Sequence, residues 1–233
     1  MKLFLMGLAL ACSLNAVADE MSVKIEPVRP TQKIQLFNGK DFAGWTKVIT
    51  AETNSNPDTT WTIADGVIRC AGKPFGYLAT QQSYADFKLH VEYRWYAAAV
   101  QLNSGIFVFK TGPDTFFLPK AIETQLKKGN AGDFVLLSRA TLNGLDNPKV
   151  RSVKKQANAS EKPDGEWNSV DIVVRGNSIQ SSINGVLQNV GTNAYADAGQ
   201  ICLQSEGGPI EFETSRSNRC PDTIVRKCAS FSA

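Results

Sequence analysis

Hydrophobic and polar positions alternate with a period of two in one short run after another, and no stretch beyond the N-terminus sustains a helical period. The clearest run covers residues 87–95, where Phe87, Leu89, Val91, Tyr93 and Trp95 alternate with Lys88, His90, Glu92 and Arg94. Such alternation describes a strand with one face in a core and the other facing away from it. Residues 103–110 read as a second strand. Residues 121–126 read as a third, with Ile122, Thr124 and Leu126 on one side and Glu123 and Gln125 on the other. If these three share a sheet, one face gathers His90, Glu92, Arg94, Glu123 and Gln125.

Turn chemistry marks the other strands. Asp65-Gly66 between alternating runs predicts a hairpin over 60–70, Gly176-Asn177 joins 167–174 to 178–183, and Asn184-Gly185 leads into 186–190. A short strand at 34–41 ends in the Asn38-Gly39 turn, and 76–80, 134–137, 200–206 and 209–212 complete the set. Trp45, Trp61, Trp95 and Trp167 read as core anchors. Residues 51–60 read as a loop, and so do 139–165, whose Lys149, Arg151, Lys154 and Lys155 form a solvated basic run. Many short strands punctuated by Gly and Asn-Gly predict an all-β fold, a single sandwich of two antiparallel sheets.

The N-terminus changes this picture only locally. Lys2, an apolar run over 3–11 and Ala16-Val17-Ala18 have the layout of a secretory signal peptide over 1–18. It is too short for a membrane span, and no other segment is apolar enough for one. A lipid anchor through Cys12 fits less well, because Ala9-Leu10-Ala11 is a poor lipobox. Residues 19–33 then read as an extended lead-in, 34–212 as the sandwich and 213–233 as an atypical tail. The location expected is periplasmic or extracellular, where disulfides are permitted. Cys70 and Cys202 fall in strands and read as buried thiols, whereas Cys220 and Cys228 flank a short polar stretch and could close a loop.

Charge and motifs exclude several function classes. A net charge of +3, spread rather than striped, gives nucleic acid little to bind. There is no Gly-rich phosphate loop and no G-x-S-x-G elbow, and one histidine without a C-x-x-C leaves zinc without its usual ligands. What remains is carboxylates, amides and a guanidinium on strand faces. Glu92 lies two residues from Arg94, Glu123 from Gln125 and Gln204 from Glu206, while Asn103-Ser104-Gly105 adds polar groups beside a glycine. These suit a polyhydroxylated ligand such as a sugar, whose hydroxyls both donate and accept. The same pattern is also the ordinary wet face of a sandwich.

In chain order, Leu36-Phe-Asn-Gly-Lys-Asp-Phe-Ala-Gly-Trp45, Gly76-Tyr-Leu-Ala-Thr80, Leu89-His-Val-Glu-Tyr-Arg94, Asn103-Ser-Gly-Ile-Phe107, Ile122-Glu-Thr-Gln125, Glu161-Lys-Pro-Asp-Gly-Glu-Trp-Asn168 and Leu203-Gln-Ser-Glu-Gly-Gly-Pro-Ile-Glu-Phe212 resemble the 3-keto-disaccharide hydrolase domain family. The resemblance implies a concanavalin-like jelly roll and cleavage of glycosides already oxidised to a ketone at C3 by a separate sugar 3-dehydrogenase. The ketone acidifies the C2 proton, so a base can form an enolate that expels the C1 substituent, and water then adds to the enone. On that chemistry Glu123 is the first choice of base, with Glu92 and His90 behind it. Arg94, Gln125 and Asn103 would hold the oxyanion and hydroxyls, with Ser104 alongside, and Gln204 and Glu206 would line the far side. No cofactor is called for, although carboxylates can also hold a divalent cation. The alternative is a non-catalytic carbohydrate-binding module on the same scaffold. One departure stands out: after Glu211-Phe212 the family's Arg-Asn and closing apolar strand are missing, which predicts an exposed sheet edge.

Overall fold

The computed structural model describes residues 26–51, 55–96, 101–113, 118–145, 149 and 151–213, together with the backbone of Ile224–Lys227. The expected signal peptide, Cys12, Cys220 and Cys228 lie outside the described residues. In chain order the strands are β1 (Ile34–Gln35), β2 (Trp45–Ile49), β3 (Trp61–Ala64), β4 (Val67–Cys70), β5 (Gly76–Thr80), β6 (Tyr84–Ala85), β7 (Phe87–Trp95), β8 (Gly105–Thr111) and β9 (Lys120–Gln125). They continue as β10 (Phe134–Leu137), β11 (Ser152–Val153), β12 (Asn168–Arg175), β13 (Ser178–Ile183), β14 (Val186–Gly191), β15 (Ala198–Ser205), β16 (Ile210–Glu213) and β17 (Ile224–Lys227).

Two antiparallel sheets result. The first runs β14-β13-β12-β7-β16-β4-β3, with β1 and β17 attached, and the second runs β11-β10-β9-β8-β15-β5-β2, with β6 beside β15. Their inner faces enclose one core, to which β7 gives Phe87, Leu89, Val91, Tyr93 and Trp95, as its alternation predicted. Opposite them β8 supplies Ile106 and Val108, and β15 supplies Ile201 and Leu203. The Asp65-Gly66 hairpin forms as expected, with both residues at positive φ and Trp61 paired with Cys70 across it. Trp45 anchors the core from β2, its indole N–H donating to the Leu36 carbonyl at 2.7 Å.

Four expectations change. Residues 51–60 are not all loop: Asn56 caps a single helical turn, Pro57–Thr60, by accepting from the Asp58 amide. Trp167 is not a core anchor; it sits outside the first sheet, under the Arg94 guanidinium. The basic run over 139–165 is not simply solvated, since it contains β11, and Lys154 pairs with the buried Asp133 at 2.9 Å. The tail also supplies a strand. β16 pairs with the 92–95 end of β7, Glu213 facing Glu92, and β17 pairs with its 87–90 end, Ile224 facing His90. The two are nearly collinear, so one edge of β7 is occupied by both and is not left open there. β17 also pairs with β1.

Removing residues 214–233 strips these backbone pairings from β7 and β1. At roughly 1 kcal/mol net for each hydrogen bond lost, the truncated chain should lose on the order of 2–4 kcal/mol, measured as a lower urea midpoint with little change in slope. An unchanged midpoint would show that β17 contributes nothing.

Candidate active site

Consecutive strands β7 and β8 lie in different sheets, and this decides where the polar residues meet. Across the second sheet, Phe107 faces Glu123 on one side and Cys202 on the other, while Gln204 faces Tyr77. Directly opposite residues share a face, so Tyr77, Phe107, Glu123, Cys202 and Gln204 all lie on the outer side of this sheet. That side is itself buried: Val48, Tyr77, Ala79, Phe107, Ala121, Leu137 and Cys202 form an apolar cluster separate from the main core. This is why β5, β8 and most of β15 show no alternation in burial.

Glu123 stands at the polar end of this apolar surface with 2% of its surface exposed. Its carboxyl group leans over Gly105, the residue opposite Gln125. A Cβ at position 105 would lie 2.3 Å from Glu123 Oε1 and 2.7 Å from its Cδ. The carboxyl group therefore fills the space that a side chain at 105 would take, and only glycine permits this. Oε1 has no hydrogen-bond partner among the described residues.

Just past the end of β15, Glu206 faces this buried acid. The Gln204 and Asn103 side chains hydrogen-bond its carboxylate. Ser104 holds the two strands in register: its buried hydroxyl donates to the Gln204 carbonyl at 2.8 Å. Gln125 Oε1 accepts from the amides of Leu126 and Lys127 at 3.0 and 2.8 Å, fixing the turn that carries Lys127. Glu206 is partly exposed, and Lys127 and Arg151 are exposed. The site thus has Glu123 as its floor and the other three at its open side.

The two acids hold their protons differently. Burial pushes the Glu123 carboxyl well above the usual carboxylate range, the Glu206 charge pushes it further, and Arg151 opposes both. Burial also raises Glu206, but the Gln204 hydrogen bond, Lys127, Arg151 and Asn103 all favour its charged form. The proton of the pair is therefore held more tightly on Glu123 than on Glu206.

Of the residues expected from sequence, Asn103, Ser104, Glu123, Gln125, Gln204 and Glu206 come together here. His90, Glu92 and Arg94 do not. They lie on the outer face of the first sheet, on the other side of the sandwich, because β7 and β9 are not in one sheet. Arg94 is committed there to Glu211 at 2.6 Å, and His90 Nδ1 lies 3.1 Å from Asp171. Arg151 and Lys127 were not anticipated. Arg151 precedes β11, and the pairing of β11 with β10 brings it within electrostatic reach of Glu123 and Glu206, which composition does not reveal. Among the described residues no three His, Cys, Asp or Glu side chains converge as a metal site, and no helix is long and apolar enough to cross a membrane. Cys70 and Cys202 are buried thiols outside any disulfide, as expected.

The profile of the 3-keto-alpha-glucoside-1,2-lyase-like domain matches residues 32–216. Among solved structures, the chain is similar to a protein of Parabacteroides distasonis ATCC 8503 described as a glycosyl hydrolase. The two are 17% identical with a TM-score of 0.58, covering 85% of this chain and 94% of that one. A β-glucanase of Bacillus licheniformis is 14% identical with a TM-score of 0.55, over 85% and 99% of the two chains. A carbohydrate-binding module of Bacillus subtilis is 12% identical with a TM-score of 0.52, over 72% and 91%. Identities this low speak for a shared jelly-roll fold. No curated protein matches the chain.

The raised Glu123 pKa links the site to stability. The folded chain keeps a proton that the unfolded chain loses above the ordinary glutamate range, so stability is full below that range and falls as pH rises through it. Glu123→Gln should flatten this fall, so that its melting temperature exceeds that of the parent chain at pH 8 by more than at pH 4. Parallel melting curves for the two proteins would show that the carboxyl ionises freely in place.

Proposed function

The chain belongs to the 3-keto-alpha-glucoside-1,2-lyase-like family, and we propose that it is an exported enzyme that cleaves glycosides carrying a ketone at C3 of the sugar. The observation that carries this reading is the pair of unlike carboxyl groups, Glu123 buried over Gly105 and shifted strongly toward its protonated form, Glu206 partly exposed and hydrogen-bonded in ways that favour its charge. Side-chain chemistry alone favoured Glu123 as base. Its burial argues for the opposite assignment, with Glu206 as base and Glu123 as acid.

Glu206 removes the C2 proton, and the C2–H electrons move to the C3 oxygen as an enolate. Arg151 and Lys127 stabilise that charge, with the free amide hydrogens of Gln125 as a further donor. Collapse of the enolate forms the C1–C2 double bond and breaks the bond from C1 to the leaving oxygen, which takes the Glu123 proton. Glu123, now ionised, takes a proton from water as its oxygen adds to C1, and Glu206 returns a proton to C2. Both carboxyl groups end as they began. The net change is glycoside plus water giving 3-keto sugar plus free alcohol.

Incubation with a 3-keto-glucoside tests this. The parent chain should release the alcohol, and Glu206→Gln should lower the rate by about 10²-fold or more, with loss of solvent exchange at C2. Glu123→Gln should be as damaging with a poor leaving group but substantially less so with a nitrophenolate, which departs without a proton. Retention of the sugar with no turnover by the parent chain would mark a binding module instead.

Gly105→Ala provides a second test. Its methyl group must displace the Glu123 carboxyl, so its activity should follow that of Glu123→Gln, including partial recovery with the nitrophenolate. Normal rates for Gly105→Ala would mean that the seat of Glu123 is immaterial.

A further inference from the structure

The outer face of the first sheet carries polar groups that the carboxyl pair does not use. Across it runs a row set by strand register: Arg94 of β7 faces Glu211 of β16, which faces Arg69 of β4. Both arginines donate through Nε to the one carboxylate, at 2.6 and 2.7 Å, and the Glu211 side chain is 1% exposed. Each guanidinium also lies against an aromatic ring, Arg94 at 4.7 Å from the Trp167 centroid and Arg69 at 5.8 Å from that of Tyr96. Tyr96 is 40% exposed, one of few large apolar side chains so open among the described residues.

We propose that this row is a second carbohydrate-binding surface, a platform for the neutral pyranose rings of a glycan. The C–H face of a pyranose packs on an aromatic ring, and its hydroxyls need donors and acceptors at the ring's edge. Tyr96 and Trp167 supply the rings. Arg69 and Arg94 spend Nε on Glu211, and about a third of each side chain remains open for the other guanidinium hydrogens to donate. Glu92, beside Arg94 on the same face and partly exposed, supplies an acceptor.

Rigidity favours binding here. Glu211 between two guanidiniums and a ring under each guanidinium fix the donors before any ligand arrives, which lowers the ordering cost of association. An ion triad gives little stability over an apolar trio of the same size, so stability alone does not account for one placed beside an open tyrosine. The platform faces away from Glu123, with the sandwich core between them, so a glycan held here would tether the protein without entering the chemistry.

Native gel electrophoresis through hydroxyethyl cellulose and through dextran, both neutral soluble glucans, tests the platform. The parent chain and the Glu123→Gln, Glu206→Gln double variant should be retarded alike by at least one of them. Tyr96→Ala should bind about tenfold more weakly while cleaving a 3-keto-glucoside at the parent rate, and Trp167→Phe should bind more tightly than Trp167→Ala. The proposal is overturned if neither polymer retards the parent chain, if Tyr96→Ala is retarded as strongly as the parent, or if only the double variant loses retardation.

Discussion

A carboxyl group can be sealed in a β-sandwich only where the backbone leaves it room and the surroundings let it stay neutral. Glu123 meets both conditions through one neighbour: the missing side chain of Gly105 makes the space. The apolar surface of Tyr77, Phe107 and Cys202 beside it keeps the group out of water. Burial of this kind is costly when the group is charged and much less so when it is protonated. The same surroundings that seat the side chain therefore set its chemical state, and Glu206, hydrogen-bonded and partly exposed, becomes its natural opposite.

Which parts of this were open to inspection in the sequence follows from the range of the interactions involved. The alternation in β7 and the Asp65-Gly66 turn depend on neighbours along the chain, and both form as expected. The grouping of His90, Glu92 and Arg94 with Glu123 depended on which strands share a sheet. Sequential strands are adjacent often enough to make that a natural expectation, but here β7 and β8 fall in separate sheets. Alternation shows that two residues share a face of one strand and does not reveal what lies across from them. Asn103, Gln125, Gln204 and Glu206 were recognisable as candidates by residue type. The electrostatic reach of Arg151 to Glu123 depends on how β11 docks on β10, which no local pattern encodes.

The two outer faces differ in kind. On the second sheet a buried apolar surface ends in two acids that hold their protons with unequal strength, which suits proton transfer. On the first, Glu211 is held by two guanidiniums stacked on rings, which suits a fixed contact. The core between them is ordinary packing, and its tight interior keeps the faces at a set distance. The likeness to a β-glucanase and to a carbohydrate-binding module concerns this shared frame. What each face does depends on the side chains it carries.

The meeting of β1 with β17 has a consequence for how the protein is made. Ile34 pairs with Val225, so β1 finds this partner only after β2 to β16 have all been made. The lower half of β7 waits for the same strand, which lies against Phe87–His90. Contacts so distant in sequence close slowly, and until they close the nascent chain keeps unpaired edges that invite association with other chains. Topology thus makes the corner where β1, β17 and β7 meet the last of the described pairings that synthesis can supply.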